Sequence, residues 1–167
     1  MYLCNNKTQS MEKDRRGSSQ LAFLLAQVGA HAATKFAERL AVLQLIPPDA
    51  GILGMLGRAA GISQQELSAR LGIHPSRLVA ILDGLESRKL LQRKPNADDR
   101  RQYELHLSEK GRETLAEIGR IAREHQESLC ASLTAAEREK LGELLQRLAD
   151  EQGLRPGVHP GYRRLRP

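Results

Sequence analysis

The sequence has no tryptophan, and aromatic residues make up only 3% of it. A core built from this chain must therefore be aliphatic, filled by Leu, Ile, Val and Ala, a set that leans towards helices. Cysteine is nearly absent too: Cys4 and Cys130 are the two present, far apart and in no CxxC spacing. That excludes a disulfide scaffold and is the usage of a reducing compartment with free thiols. No apolar run reaches the length of a membrane span, and the opening stretch MYLCNNKTQSMEKDRR lacks the apolar core of an export signal. These absences predict a cytoplasmic protein with no membrane partner. There is also no phosphate-cradling Gly-rich loop, no nucleophile motif and no cluster of metal ligands. His125 and Cys130 are five apart, the wrong spacing for one helical face. An enzyme, a cofactor and a metal site thus find no support in the sequence.

What is present is positive charge. The 167 residues carry a formal net charge of +6, with a pI near 9.7. At this length one compact domain is expected, and its charge suits a polyanionic partner. Residues 1–17 read as a flexible tail. From Leu21 the apolar positions Leu24, Leu25, Val28, Ala32, Phe36, Leu40 and Leu43 recur at three- and four-residue steps, which predicts a long amphipathic helix within 18–46. His31 lies beside that stripe, where an effector could be sensed, but reads rather as a half-buried packing residue. Pro47 and Pro48 interrupt the pattern, and a short helix follows over roughly Asp49 to Arg58.

Next comes SQQELSARLG, where Ser63 and Glu66 have the spacing of a capping box and Gly72 supplies a stop. IHPSRLVAILDGLESRKLL follows, with Pro75 suited to a first helical turn and Leu78, Leu82 and Leu85 on one buried row. Two short helices joined by a tight turn outline a helix-turn-helix. Beyond Lys89, LLQRK and QYELHL alternate or nearly so, predicting an antiparallel hairpin whose loop runs from Pro95 to Arg101. After Ser108 a long helix carries Leu115, Ile118, Ile121, Leu129 and Leu133. Another begins at Thr134 with Glu137 at capping spacing, carries Leu141, Leu144, Leu145 and Leu148, and stops at Gly153. Residues 153–167 hold four arginines and no acid, a basic tail.

A helix-turn-helix followed by a charged hairpin is a winged helix over 47–107, framed by helices at 18–46 and 108–152. The expected fold class is mainly α, or α+β. In such a module one helix enters the major groove of double-stranded DNA while the hairpin, the wing, reaches backbone or minor groove. From Arg88 to Arg101 six basic residues, Arg88, Lys94, Arg100 and Arg101 among them, stand against the two acids Asp98 and Asp99, a local positive excess where DNA phosphate would lie. Asp99 is placed to hold Arg101 in one rotamer, and Arg100 or Arg101 to probe a narrow minor groove. On the recognition helix Ser76 and Arg77 sit in the first turn, where base edges are met, and Ala80 and Gly84 allow close approach. Ser63, Gln64 and Gln65 offer backbone and side-chain donors to phosphate. His74, at the turn, either caps the helix or touches phosphate.

Over roughly residues 20–150 the chain resembles the MarR family of transcription regulators. The resemblance is clearest in SQQELSARLGIHPSRLVAILDGLESRKLLQRKPNADDRRQYELHLSEKG, with its Asp99-x-Arg101 wing signature and the LSEKG that restarts a helix after the wing. It implies a homodimer of interlocking terminal helices, two winged-helix lobes on a pseudo-palindromic operator, and a small-molecule effector bound between lobe and dimer helices. Lys89 stands where the family usually has Gly. Cys4 lies well before Leu21, unlike the cysteine of the family's peroxide-sensing members. The expected function is a ligand-responsive, DNA-binding repressor. The competing reading is a winged-helix protein-docking module, against which the basic wing argues.

Overall fold

The computed structural model describes the backbone of residues 5–96 and 103–158, and the side chains of residues 20–96 and 103–158. Its elements run α1 (Asn5–Leu40), α2 (Pro47–Arg58), β1 (Ile62–Ser63), α3 (Gln64–Leu71), α4 (Pro75–Ser87), β2 (Leu91–Pro95), β3 (Tyr103–Leu107), α5 (Glu109–Leu129) and α6 (Ala135–Glu151). The chain separates into two compact units, one ending at Phe36 and one starting at Ala37. Among the described residues the first holds only α1 up to Phe36, and the last turn of that helix belongs to the second. The helix reaches back to Asn5, through most of the stretch read as a tail, because Met, Glu, Lys and Arg there are good helix formers and one Gly costs only about 1 kcal/mol. Leu21, Phe23, Leu24, Leu25 and Val28 are all exposed. His31 is exposed as well, so the half-buried packing role expected for it is not what the protomer shows.

The second unit holds the core. Among the described residues every buried apolar side chain lies between Leu40 and Ile121, and all are aliphatic, as the scarcity of aromatics requires. Before the proline pair the chain tightens into a 3-10 turn at Ala41–Leu43, closed by Gln44 at φ 54°. Pro47 and Pro48 then occupy the first turn of α2, where the missing N–H groups are no loss, so this helix begins two residues before Asp49. The carboxylate of Asp49 accepts from the Ile46 N–H at 3.2 Å. Burial pushes its pKa up, against the opposing pull of that N–H and of the Arg88 guanidinium.

The sheet has the order β1-β3-β2, both pairs antiparallel. Ile62 faces Leu105 and Leu91 faces Leu107 across it, which puts these apolar side chains on the core side. The two-residue β1 went unpredicted, since two residues carry no readable alternation. The hairpin β2–β3 is as expected, but its tip, residues 97–102, lies outside the described residues.

Gly72 ends α3 at φ 66°, the left-handed cap that the sequence anticipates. Lys89 does the same job for α4 at φ 60°. The N–H groups of Lys89 and Leu90 donate to Glu86 and Leu85 carbonyls at 2.8 and 3.0 Å, a Schellman closure with a lysine at the position that favours glycine. Left-handed backbone costs a side-chain-bearing residue about 1 kcal/mol. Lys89→Gly is therefore expected to stabilise the protein by up to about 1 kcal/mol, less a few tenths for unfolded-chain entropy. A urea midpoint that stays put or falls would count against this account.

Candidate nucleic-acid interface

The turn between α3 and α4 is built from both sides. On the α3 side Ser63 is the N-cap, its Oγ accepting from the Glu66 N–H at 3.1 Å. Only that half of the expected capping box forms, because the Glu66 carboxylate pairs with Arg70 one turn on, at 2.5 Å. Within the turn the buried Ser68 hydroxyl donates to the Ile73 carbonyl at 2.7 Å. A serine inside a helix gave no sequence signal for this role; only the fold buries it. On the α4 side His74 is the N-cap. Its Nδ1 accepts from the Ser76 N–H at 3.4 Å and sits 2.8 Å from the Ser76 hydroxyl. Of the two roles open to His74, the structure shows the cap.

Leu78, Leu82 and Leu85 of α4 are buried, as their spacing predicts. The opposite side is open: Ser76, Val79, Ala80, Asp83 and Gly84 are exposed and Arg77 is half-buried. Nothing lies within 4 Å of the place a Cβ on Gly84 would take, so this face is free for close approach. Ser63, Gln64 and Gln65 join Val79 and Asp83 of α4 and Arg93 and Tyr103 of the hairpin around one cleft of about 600 Å³. The first turn of α3, the outer face of α4 and the base of the wing thus share one surface.

The basic cluster is less free than its composition suggests. Arg93 is clasped by α4: its guanidinium bonds Glu86 and, at 2.6 Å, Asp83, and its N–H donates to Glu86 at 3.0 Å. Arg88 faces inward, its two terminal nitrogens each 2.8 Å from a backbone carbonyl, those of Gln44 and Leu43. It ties the end of α4 to the turn before α2, and the phosphate contact expected of it gives way to that structural bond. Counted from Asp83 to Arg101, six bases face four acids. A count starting at Arg88 misses Asp83 and Glu86, which only the folded hairpin brings against Arg93. Lys94 remains exposed on β2, opposite Glu104. Glu104 is itself engaged by Asn96 at 3.0 Å and His106 at 2.9 Å. Asp99, Arg100 and Arg101 lie outside the described residues.

Away from this surface, Leu141, Leu144, Leu145 and Leu148 form a stripe along α6, each at least 40% exposed. No residue of α6 is buried. Its start is nonetheless fully capped: Thr134 and Glu137 exchange hydrogen bonds, and those bonds hold the Glu137 carboxyl below its usual range. No single described helix is long and apolar enough to cross a membrane.

Residues 43–102 match the sequence model of the MarR family. A proposed transcriptional regulatory protein for the hcr operon of Thauera aromatica is 30% identical over 132 residues, spanning 78% of this chain and 80% of that one. Among solved structures, the transcriptional repressor CouR bound to a 23-mer DNA duplex is 33% identical, with a TM-score of 0.70 over 79% of this chain and 94% of that one. A mutant MarR from E. coli complexed with operator DNA is 25% identical, with a TM-score of 0.66 over 77% and 93% of the two chains.

Proposed function

This chain belongs to the MarR family of DNA-binding transcriptional regulators, and from that membership we propose that it reads a pseudo-palindromic operator as a homodimer and acts as a repressor relieved by a small-molecule effector. It works by binding alone, without catalysis, in the cytoplasm. The observation that carries this reading is the shared surface of α3, α4 and the wing, with the small and polar side of α4 left open. A major groove about 12 Å wide admits such a helix.

In the proposal Ser76, Arg77 and Ala80 approach base edges, with Arg77 pairing two-pronged to guanine. Ser63, Gln64 and Gln65 bind phosphate at the start of α3. Lys94 takes a backbone phosphate beside the wing, and Asp99, Arg100 and Arg101 keep their wing-tip roles on sequence grounds alone. His74 holds Ser76 in place. Arg88 and Arg93 hold α4 and the wing in register, and so act through the residues that touch DNA. The exposed stripes of α1 and α6 are assigned to the partner copy, since half-sites about one DNA turn apart need two lobes.

The test is selection of bound genomic fragments followed by titration of the recovered site. Arg77→Ala is expected to lose about 1–3 kcal/mol of discrimination at one base pair per half-site, with affinity for scrambled DNA nearly unchanged. Binding that is sequence-blind and abolished by moderate salt would refute the reading and favour the protein-docking module.

A further inference from the structure

Where α6 ends, the chain turns back onto the reading lobe. Gly153, at φ 61°, reverses it, and the Leu154 N–H closes on the Ala149 carbonyl at 2.9 Å. Arg155-Pro156-Gly157-Val158 then forms a tight turn, with the Val158 N–H donating to the Arg155 carbonyl at 3.3 Å and Gly157 at φ 70°. Proline and glycine occupy the positions that a type II turn demands, so this strap is stiff. The Arg155 guanidinium donates through Nη1 to the carbonyls of Ala69 and Arg70, at 2.8 and 3.3 Å, in the last turn of α3. The end of a helix leaves such carbonyls unpaired, and a cation is favoured there. A Cβ on Gly72 would stand 2.8 Å from the same guanidinium, so Arg155 lies against the helix-turn-helix turn itself. Pro156 and Val158 share a cavity with Met55 and Arg58 of α2, so the strap meets two helices of the lobe.

Little else holds α6 within the protomer. None of its residues is buried, and its first turn is joined to α5 by the short connection 130–134. A rod of 17 residues is about 25 Å long, so a swing of about 10° about that joint would move its far end by about 4 Å. That exceeds the rise of one base pair, about 3.4 Å. The strap closes the far end onto α3, which makes α5, α6 and the helix-turn-helix one braced loop. We propose that Arg155 is a positioning residue for operator recognition: by bracing α6 against α3 it sets the distance and rotation between the two reading helices of the dimer, and with them the half-site spacing that the protein accepts. Arg155 touches no DNA in this account. It acts because α6 carries the leucine stripe assigned to the partner copy, so an error in the angle between α6 and its lobe is repeated across the twofold axis.

This inference rests on the operator-binding reading above. The experiment titrates the full chain and its Arg155→Ala and Arg155→Lys variants on the selected operator, on operators with one base pair inserted or removed at the dyad, on a duplex carrying a single half-site and on a scrambled duplex. Each added base pair carries one half-site about 35° further round the duplex, and wild-type protein is expected to prefer the native spacing. In Arg155→Ala that preference falls by about fivefold or more, through weaker binding at the native spacing, because the DNA must then order a joint that is no longer preorganised. Affinity for the single half-site and the mass of the dimer stay at wild-type values. Arg155→Lys, whose ammonium lacks the planar fork, falls between the two. An Arg155→Ala protein with the wild-type spacing preference overturns the proposal. So does an equal loss on every duplex, the single half-site included, since that is the mark of a direct DNA contact or a damaged lobe. Wild-type protein that fails to tell operator from scrambled duplex would instead defeat the operator reading.

Discussion

Gly111→Ala is expected to destabilise the protein by about 3 kcal/mol, as a large fall in the urea or thermal midpoint. Gly111 is the glycine of LSEKG, and a Cβ there would lie 1.8 Å from the Leu90 carbonyl oxygen and 2.9 Å from its carbon. Both atoms are backbone, so no side-chain rotation relieves the clash. The whole junction is tight: the Ser108 hydroxyl donates to the Lys89 carbonyl at 2.5 Å and accepts from the Gly111 N–H at 2.9 Å. The Ser108 N–H reaches the Leu90 carbonyl at 3.2 Å. The start of α5 is thereby fastened to the end of α4, and a methyl group must pry the two apart. Since alanine is the better helix former by about 1 kcal/mol, an open site would gain stability from this exchange. A midpoint that rises or holds would show that the contact yields easily.

The double substitution Leu144→Glu with Leu148→Glu is expected to convert a dimer into protomers and to lower operator affinity by about a thousandfold or more, on the order of 4 kcal/mol. The two side chains are 43% and 46% exposed, so neither belongs to the protomer's own core. They share one face of α6 with Leu141 and Leu145, and burying four carboxylates unpaired in a twofold apolar seam is prohibitive. Sedimentation should report the protomer mass, with most of the helical signal retained. A wild-type protein that is already monomeric, or a double variant that stays dimeric, would defeat the assignment of this stripe. The two expectations separate cleanly, because Gly111 acts inside the core-bearing unit and the leucines act outside its core.

Most of the fold can be traced to local signals. The leucine row of α4, the capping serine and threonine at 63 and 134, the proline start of α2 and the glycine end of α3 each rest on interactions spanning four residues or fewer, which sequence spacing reports directly. The N-terminus of α1 is different. Its helix formers are polar, and polarity bears on burial and not on helix propensity. The candidate interface is legible in part: Ser76, Ala80 and Gln65 are exposed and Gln64 is half-buried. The inward bonds of Arg88 are not legible in the sequence, because its acceptors, 44 and 45 residues earlier, are backbone carbonyls, which carry no residue signature. The same holds for Arg155, whose acceptors lie 85 and 86 residues away.

By itself the sequence determined where the helices from Gln64 onwards start and stop, which sides of the helices are apolar, and that the stretch from Ser63 to Leu107 forms a helix-turn-helix with a wing. Those properties follow from backbone sterics, capping and hydrophobic period, all of which act over a few neighbouring positions. Tertiary structure alone decided which arginines are spent on the fold. A guanidinium left on the surface and one bonded within the fold look identical in a chain, and only the packing of α2, α4 and the hairpin gave Arg88 to the backbone carbonyls of Leu43 and Gln44 and Arg93 to the carboxylates of Asp83 and Glu86.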